Sequence, residues 1–364
     1  MRLNLHDRLP SLVRQRYASA KTTESLIFSW TQLAVIHPPQ TLPVRSLPSN
    51  CAKLRAHGWK FQLRYCPALS KKPEPQRSPE QNNRNPFQDP PLELLIAEVP
   101  ARAPSHNLVL NKYPVIPHHF ILATKAFKEQ TSLLEEDDLA ATYACLREWE
   151  KDDEDGGKLF AFFNSGEHSG ASQKHRHIQF IPVNEMLKMQ KNESWQLLAD
   201  AVPPSSGEAS TREQSKVPFL YFRTGLPAQP EPSELHKIYM QLYHQASSAV
   251  QTFNQRHPRD PVKMRAGENN AATISYNLSM TTQSMTICPR RRGSVELKVA
   301  QKGDQGDRTL GPIELNGTIL AGTIMVKMAE EWDLLREEPA RLTEILEALC
   351  IPARELFTEP DESL

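Results

Sequence analysis

Residues 175–182, HRHIQFIP, carry two histidines and a glutamine at every second position from 175 to 179, and this pattern restricts the fold more than any other part of the chain. Successive side chains of a β-strand point to opposite faces, so His175, His177 and Gln179 are expected to share one face. Pro182 has no N–H for a sheet ladder and therefore predicts the end of the strand. The segment thus indicates a strand that carries a row of three polar groups, called the histidine row below.

The segments around this strand predict an α+β unit. A second strand-like run, LFAFFNSG, comes before it, and HNLVLNKYPVIPHHFILAT contains two more runs separated by prolines. Ser132 and Glu135 have the spacing of a helical capping box. Apolar residues at helical spacing follow them: Leu139, Tyr143, Leu146 and Trp149. Two strand pairs separated by a helix favour a mainly antiparallel sheet.

The rest of the chain has a similar order of elements. PSELHKIYMQLYHQASSAVQTF predicts an amphipathic helix capped by Ser233, and ISYNLSMTTQSMTICP predicts a hairpin that turns at residues 282–283. Residues 201–218 are polar and proline-rich, as is typical of an exposed connection. We therefore expect an N-terminal half over residues 1–200 and a C-terminal half over residues 216–364.

The charge balance restricts the partners. The chain has 364 residues with 43 basic and 43 acidic side chains, so its formal net charge is zero. Such a chain has no electrostatic basis for wrapping nucleic acid or coating an anionic membrane, whereas a small anionic ligand remains compatible. The five cysteines form no CxxC pair, which disfavours a zinc ribbon or a disulfide framework.

The N-terminal segment bears on the location. It is arginine-rich and poor in acids but has no hydrophobic signal region, and no apolar run of the chain approaches the roughly 20 residues of a membrane helix. We therefore expect a cytoplasmic protein with no membrane partner. A nuclear location is also compatible, and a mitochondrial one is less favoured.

Residues 169–173, SGASQ, precede the histidine row and have the composition of a phosphate-binding loop. Small or flexible side chains let the backbone approach a ligand, and successive N–H groups can then bind phosphate oxygens. Histidine has an ordinary pKa of about 6.5 and so supplies a neutral nucleophilic nitrogen at cellular pH. Such an imidazole can attack phosphorus, and the pattern therefore favours covalent nucleotidyl transfer.

Two other interpretations of the histidine row are open at this point. Histidines at positions i and i+2 also suit a metal ion, but no carboxylate or thiolate is evident nearby as a third ligand. The histidines could instead be structural groups with satisfied hydrogen bonds. Two histidines and a glutamine in a row behind a small-residue loop disfavour that interpretation.

The sequence also carries a family resemblance. The H-x-H-x-Q pattern of HRHIQFIP resembles the signature of the galactose-1-phosphate uridylyltransferase branch of the histidine-triad superfamily. The longer string, NSG followed by SGASQKHRHIQ, resembles the fungal diadenosine tetraphosphate phosphorylases, also called ATP adenylyltransferases. Further similar segments occur in the same order along most of the chain: CPALSKKP, NPFQDPP, LVLNKYPVIPHHFIL, YNLSMTTQSMTICPRR and ELNGTILAGTIMVK.

The resemblance implies a fold and an activity. It implies two histidine-triad-like halves with mainly antiparallel sheets flanked by helices, of which only the first keeps the catalytic histidines. It further implies cleavage of a dinucleoside polyphosphate by inorganic phosphate, giving ADP and ATP through an AMP-histidine intermediate. We expect no obligatory cofactor, because no carboxylate cluster accompanies the histidines, although a divalent cation such as magnesium could accompany the nucleotide. The sequence does not specify an oligomeric state.

Two alternatives to this activity are less favoured. Hydrolysis of nucleotide conjugates would use water in place of phosphate, and it is disfavoured because glutamine replaces a third histidine in the H-x-H-x-Q pattern. A non-catalytic nucleotide-binding module is disfavoured by the intact histidine row.

The resemblance also implies residue roles. His177 would be the nucleophile, Gln179 would contact the phosphoryl oxygens, and His175 would support the row. Further residues are implied to bind the phosphates or the nucleotide: Lys72, Asn111, Lys112, Asn164, Gly170, Ala171, Ser172, Gln173, Asn316, Gly317, Thr318, Thr323 and Lys327.

Three features lie apart from this pattern. The segment NGTILAGTIMVK departs from the family in having small residues near Gly317 and a polar residue at Thr323. Residues 37–50 look like an insertion. The basic run at 290–292 is expected to be a solvated loop outside the site.

Overall fold

The computed structural model describes residues 2–39, 59–70, 85–151, 157–188, 195–202, 217–299 and 308–356. Three features noted in the sequence lie wholly or largely outside these ranges: Lys72, the insertion at 37–50 and the connection at 201–218.

The described residues form helices and strands in the following order: α1 (Leu9–Thr22), β1 (Gln32–Ile36), β2 (Phe61–Tyr65), β3 (Leu95–Val99), β4 (His106–Leu110), β5 (Phe120–Thr124), α2 (Glu136–Glu150), β6 (Leu159–Ser165), β7 (His177–Pro182), α3 (Val183–Leu187), α4 (Leu198–Ala201), β8 (Phe222–Gly225), α5 (Pro232–Arg256), β9 (Ser275–Met280), β10 (Ser284–Arg290), β11 (Ser294–Val299), β12 (Arg308–Glu314), β13 (Thr323–Val326), α6 (Ala329–Glu337) and α7 (Ala340–Leu349). Short 3-10 turns occur at Pro67–Leu69, Glu268–Asn270, Gly317–Ala321 and Ala353–Leu356.

An eight-stranded antiparallel sheet, in the order β3-β4-β5-β7-β6-β9-β10-β8, runs through the molecule. Strands β6 and β9 pair near its centre, so strands from both halves of the sequence form one sheet. A smaller sheet has the order β1-β2-β13, in which β13 runs parallel to β2, and β11 pairs with β12 in a two-stranded ribbon. The prediction of an α+β fold with mainly antiparallel sheets is confirmed.

Two hydrophobic cores lie on the two faces of the large sheet. One face packs against α1, α2 and α5, and it receives Ile178 and Phe180 of β7. The other face packs against the three-stranded sheet and α7, and it receives Phe162 and Ile181. The alternation predicted for residues 175–182 is therefore the alternation between these two faces.

The strand predictions around the histidine row are confirmed, except that β7 begins at His177 and His175 forms an isolated bridge with Glu129. Two helix starts also differ. Helix α2 begins at Glu136, one residue after an N-cap formed by Glu135 with Asp138 at the third helical position, so Ser132 is not the cap. Helix α5 begins at Pro232, and Ser233 lies inside it. Proline fits the first helical position because its fixed φ is helical and its missing N–H needs no partner there. Among the described residues, no helix combines the length and the apolar composition needed to cross a membrane.

Candidate active site

His177 begins strand β7, between β5 and β6 near the middle of the large sheet. It lies opposite Ala123 of β5, and Gln179 lies opposite Phe162 of β6. His177 is buried, and its ring lies 4.9 Å from that of Phe87, measured between ring centres. The predicted nucleophile of the histidine row is thus held inside the protein.

The hydrogen bonds of His177 determine which ring nitrogen is available. Its Nδ1 lies 2.8 Å from the backbone oxygen of His175, which can only accept, so Nδ1–H donates and Nε2 keeps its lone pair. Burial lowers the pKa of His177 to about 4, and the hydrogen bond to His175 offsets only part of that effect. The ring is therefore neutral at cellular pH and offers Nε2 as a nucleophile.

His175 has both ring nitrogens engaged. Its Nδ1 lies 2.7 Å from Asn85 Nδ2, and its Nε2 lies 2.9 Å from Thr124 Oγ1. The backbone N–H of Phe87 donates to Asn85 Oδ1 at 3.1 Å, which fixes the orientation of that amide. The Asn85 amide N–H therefore donates to Nδ1, and the ring donates through Nε2–H to Thr124. Neither ring nitrogen of His175 is therefore free to attack a ligand.

Aromatic rings enclose the two histidines. Phe87 and Phe127 contact His175 edge to face, with ring centres 6.0 and 5.4 Å away. Phe87 is also anchored through its backbone oxygen, which accepts from Asn107 Nδ2 at 3.0 Å. The sequence pattern singled out the segment NPFQDPP but assigned no role to Asn85 or Phe87, because their contacts are made across the fold.

Gln130 bridges strands β6 and β7 where their backbone pairing stops. Its Oε1 accepts from the backbone N–H of His177 at 2.8 Å. Its Nε2 donates to the backbone oxygens of Asn164 and His177, at 2.8 and 3.2 Å. This buried amide therefore holds Asn164 beside His177. No sequence pattern marks Gln130, which precedes α2 in an irregular segment.

Asn164 is a buried polar residue with a saturated oxygen. Its Oδ1 accepts from the backbone N–H of Gly317 and from Asn277 Nδ2, each at 2.9 Å. Its Nδ2 is also buried and makes no hydrogen bond to any described residue. The amide N–H groups are therefore available to a ligand. Gly317 carries no side chain here because a Cβ would lie 2.9 Å from Asn164 Oδ1.

The loop at 169–173 packs against the C-terminal half. Gly170 has a φ of +77°, and a Cβ there would lie 2.8 Å from Asn316 Cβ and 2.9 Å from the backbone oxygen of Leu315. Asn316 accepts from the backbone N–H and the hydroxyl of Thr318, at 3.0 and 2.9 Å. Ala171 is half-buried, whereas Ser172 and Gln173 are exposed and can meet a ligand. The structure thus brings the predicted loop and residues 316–318 together.

Four other predicted residues have described contacts that lie outside this cluster. Thr323 donates to Gln62 in the small sheet at 3.3 Å, and the Lys327 ammonium pairs with exposed Glu314 at 3.1 Å. Asn111 and Lys112 lie in the turn after β4: the Asn111 amide is 3.1 Å from His119 Nδ1, and Lys112 is exposed. Within the described residues, no hydrogen bond links these four predicted residues to the histidine row.

The expectation for the basic run at 290–292 is wrong for Arg290, which is completely buried. Its Nη1 donates to Asn277 Oδ1 at 2.7 Å and to the backbone oxygen of Leu315 at 2.9 Å. Arg290 ends β10, an interior strand of the large sheet, so its side chain is covered by neighbouring elements. Arg292 does fit the expectation, since it is exposed and pairs with Asp260 at 2.8 Å.

Ion pairs on the opposite side of β7 fix the strand to helix α2. Buried Arg176 donates to Asp138 at 2.7 Å, and His106 Nε2 lies 3.0 Å from the other oxygen of Asp138. Burial alone would raise the pKa of Asp138, but the His106 hydrogen bond and the Arg176 charge together hold it below its usual value. Within the described ranges, no group of three or more histidine, cysteine, aspartate or glutamate side chains is arranged to hold a metal ion.

The sequence matches two known domain families along its length. The family described as the Ap4A phosphorylase N-terminal domain matches residues 19–197, and the ATP adenylyltransferase C-terminal domain matches residues 215–352. The first match contains the histidine row, and the second contains Asn277, Arg290 and Asn316.

Similar proteins of Saccharomyces cerevisiae span nearly the whole chain. Diadenosine 5',5'''-P1,P4-tetraphosphate phosphorylase 2 is 26% identical over 351 residues, which cover 92% of either chain. Protein APA1 is 26% identical over 346 residues, or 93% of this chain and 92% of that protein. The crystal structure of yeast Ap4A phosphorylase Apa2 has the same fold, with a TM-score of 0.69 and 22% identity over 96% of this chain and 99% of that one. The chain belongs to the Ap4A phosphorylase / ATP adenylyltransferase family.

Proposed function

We propose that this protein cleaves diadenosine 5',5'''-P1,P4-tetraphosphate with inorganic phosphate, giving ADP and ATP through an AMP–His177 intermediate. The observation that carries the proposal is the state of His177, a buried neutral imidazole whose Nδ1–H is held by the His175 carbonyl. The similar yeast protein whose name states this phosphorylase activity, matched over 92% of either chain, supports the choice of substrate.

In the first step, His177 Nε2 attacks the α-phosphorus at one adenylyl end. The N–P bond forms, the bond from phosphorus to the bridging oxygen breaks, and ATP leaves with the electron pair. No proton has to be removed from the nucleophile, because the neutral ring already exposes its lone pair. Positive charge develops on the ring as the bond forms, and the His175 carbonyl stabilises it through Nδ1–H.

In the second step, an oxygen of inorganic phosphate attacks the same phosphorus. The P–N bond breaks, its electron pair returns to His177 Nε2, and ADP is released. The transferred adenylyl group thus acquires the added phosphate as the β-phosphate of ADP. The histidine ends in its starting state, neutral and hydrogen-bonded to His175.

The phosphoryl oxygens need donors close to His177. The amide N–H groups of Asn164 are available, and Gly170, Ser172 and Gln173 are exposed, so their N–H groups are candidates for the same oxygens. Gln179 lies on the face of His177 and is part-exposed, which suits contact with the same oxygens. We assign the remaining candidates to the rest of the dinucleotide: Lys72, Asn111, Lys112, Asn316, Gly317, Thr318, Thr323 and Lys327. A magnesium ion bound to the polyphosphate is compatible with these steps.

The experiment follows the added phosphate. The protein is incubated with the dinucleotide and ³²P-labelled inorganic phosphate, and the products are separated by chromatography. The proposal predicts ADP and ATP in equal amounts, with the label in ADP alone. Without phosphate the reaction should stop after the first step, with no ADP and no more than one ATP released per protein molecule. AMP and ATP formed without phosphate would indicate hydrolysis, and binding without turnover would indicate a non-catalytic module. The His177→Ala variant serves as the inactive control.

A further inference from the structure

A buried polar chain runs across three neighbouring strands behind the candidate site. Arg290 of β10 contacts Asn277 of β9, and Asn277 lies directly opposite Asn164 of β6. All three side chains are buried. In the described part of the chain, Arg290 pairs with no carboxylate, and its bonds run to Asn277 Oδ1 and to backbone oxygens.

The arginine sets the orientation of the first amide. A guanidinium group can only donate, so the oxygen of Asn277 must face it. The Nδ2 of Asn277 then points to the other side, where it donates to Asn164 Oδ1 and to the backbone oxygen of Ser169, each at 2.9 Å. Turning this amide over would place N–H groups against the guanidinium and an oxygen against two acceptors.

The first amide in turn sets the second. Asn164 Oδ1 receives N–H groups from Asn277 and from Gly317, so its NH₂ group must point away from both. That NH₂ group is buried and makes no hydrogen bond among the described residues. An unsatisfied buried donor of this kind in a native structure calls for an explanation, such as a bound ligand that takes its hydrogens.

The position of Asn164 identifies where this donor acts. Phe162 lies opposite Gln179, and continuing the same antiparallel register places Asn164 opposite His177. Gln130 spans the two backbones at that point. Residues opposite each other in an antiparallel pair share a face, so the Asn164 side chain lies on the face of the nucleophile.

We propose that Arg290 and Asn277 are positioning residues that hold the Asn164 amide with its NH₂ group toward the phosphoryl oxygens of the bound nucleotide. The inference rests on the proposed function for the identity of the ligand, whereas the orientation follows from the described contacts. The buried positive charge of Arg290 also favours ligand binding here, because its positive potential attracts the anionic phosphoryl oxygens.

The test reverses the orientation with an isosteric change. In Asn277→Asp, a carboxylate still accepts from Arg290 but offers no N–H to Asn164. The Asn164 oxygen then faces a carboxylate in place of a donor, and only the Gly317 N–H still favours the original orientation, so the NH₂ group is no longer held toward the substrate. We expect kcat/KM to fall on the order of a hundredfold, as for loss of one oxyanion donor. The variant should remain folded, because the new anionic partner of Arg290 offsets part of the cost of the Ser169 backbone oxygen that loses its donor.

A double-mutant cycle separates positioning from a structural role. If Asn277 acts through Asn164, Asn164→Ala should cause a similar loss, and the double variant should lose no more than either single variant. Losses that multiply, or wild-type kcat/KM in Asn277→Asp, would overturn the inference. The matched control is Thr286→Val in β10, since this buried hydroxyl makes no hydrogen bond to a described residue.

AMP binding and two variants of Arg290 provide tests that do not depend on turnover or on the folding of Asn277→Asp. AMP affinity, measured by calorimetry, should fall about tenfold in Asn277→Asp and no further in the double variant. If the wild type binds AMP but produces no labelled ADP, the proposed function fails while the cycle on AMP affinity still tests the inference.

If Asn277→Asp does not fold, Arg290→Lys and Arg290→Met replace it. Lysine retains a donor to Asn277 and should keep more activity than methionine, and equal losses would contradict the proposal.

Discussion

The imidazole of His177 is buried between strands and against the ring of Phe87. Burial excludes water from the ring and disfavours the imidazolium form, which lowers the pKa from the ordinary 6.5 to about 4. Between these two values, an exposed histidine would be protonated while His177 remains neutral. The side chain therefore stays nucleophilic over a wider pH range than its residue type would suggest.

This shift predicts the pH profile of the first chemical step. The rate at which the dinucleotide adenylylates the protein, measured by rapid quenching without phosphate, should be nearly constant from pH 8 to pH 5 and fall toward pH 4. Phosphate is omitted because its own ionisation would obscure the profile. A decline centred near pH 6.5 would show that His177 titrates as an exposed histidine and would contradict this assignment.

The same shift predicts how stability depends on pH. Because the folded-state pKa is lowered, the unfolded chain binds a proton between about pH 6.5 and pH 4 that folded His177 does not. Stability is therefore lost as the pH falls through this window, by about 3 kcal/mol at its lower end. His177→Gln lacks this contribution. Denaturant unfolding at pH 7 and pH 4.5 should show a larger loss for the wild type, and equal losses would count against the lowered pKa.

Where the backbone pairing of β6 and β7 stops, the Gln130 side chain links the two strands. Replacing Gln130 with leucine removes the acceptor for the His177 N–H and the donor to two backbone oxygens. Each buried group left unsatisfied costs about 1–3 kcal/mol. We expect a loss of at least about 2 kcal/mol in the free energy of unfolding, together with a fall in kcat.

The control for Gln130→Leu is Ser279→Ala in strand β9. The Ser279 hydroxyl is buried and makes no hydrogen bond among the described residues, so its removal should leave stability nearly unchanged. Similar losses in the two variants would mean that the bridging amide has no special role.

The strands could be predicted from the sequence more fully than the helix starts. A period of two and a terminal proline define β7, and the hairpin between β9 and β10 turns at residues 281–283, as its polar residues indicate. The predictions of the two helix caps are wrong because Ser, Glu and Asp compete for the same position, and local spacing does not decide between them.

The large sheet is continuous through both halves, and the candidate site lies where they meet. Asn164 and Gly317 are 153 residues apart in sequence yet share a hydrogen bond. The burial of Arg290 and the bridge formed by Gln130 are contacts of the same long-range kind. A local pattern carries no information about such contacts, so the sequence predicted the histidine row and the loop but missed the residues that orient them.

The contact between the loop and the second half can be tested at Gly170. Gly170 and Gly322 both have a left-handed φ, of +77° and +75°. A Cβ at Gly170 would lie 2.8 Å from Asn316 Cβ, whereas at Gly322 the nearest atoms are 3.3 Å away. Both alanine variants should lose about 1–2 kcal/mol of stability through backbone strain. Only Gly170→Ala should also displace the loop and lower kcat/KM with the dinucleotide. Equal activity in both variants would show that the loop position is unimportant.

The most direct measurement is mass spectrometry of the protein after a short pulse of diadenosine tetraphosphate without phosphate. We predict an added AMP on the peptide that contains residues 175–179, and its disappearance when phosphate is added. His175→Ala should retain a detectable adduct, and Gln179→Ala should form it more slowly, on the order of a hundredfold. His177→Ala should form none, because no neighbouring group can replace the lost nucleophile. An adduct that persists in His177→Ala, or turnover in the wild type with no adduct on this peptide, would contradict covalent catalysis by His177.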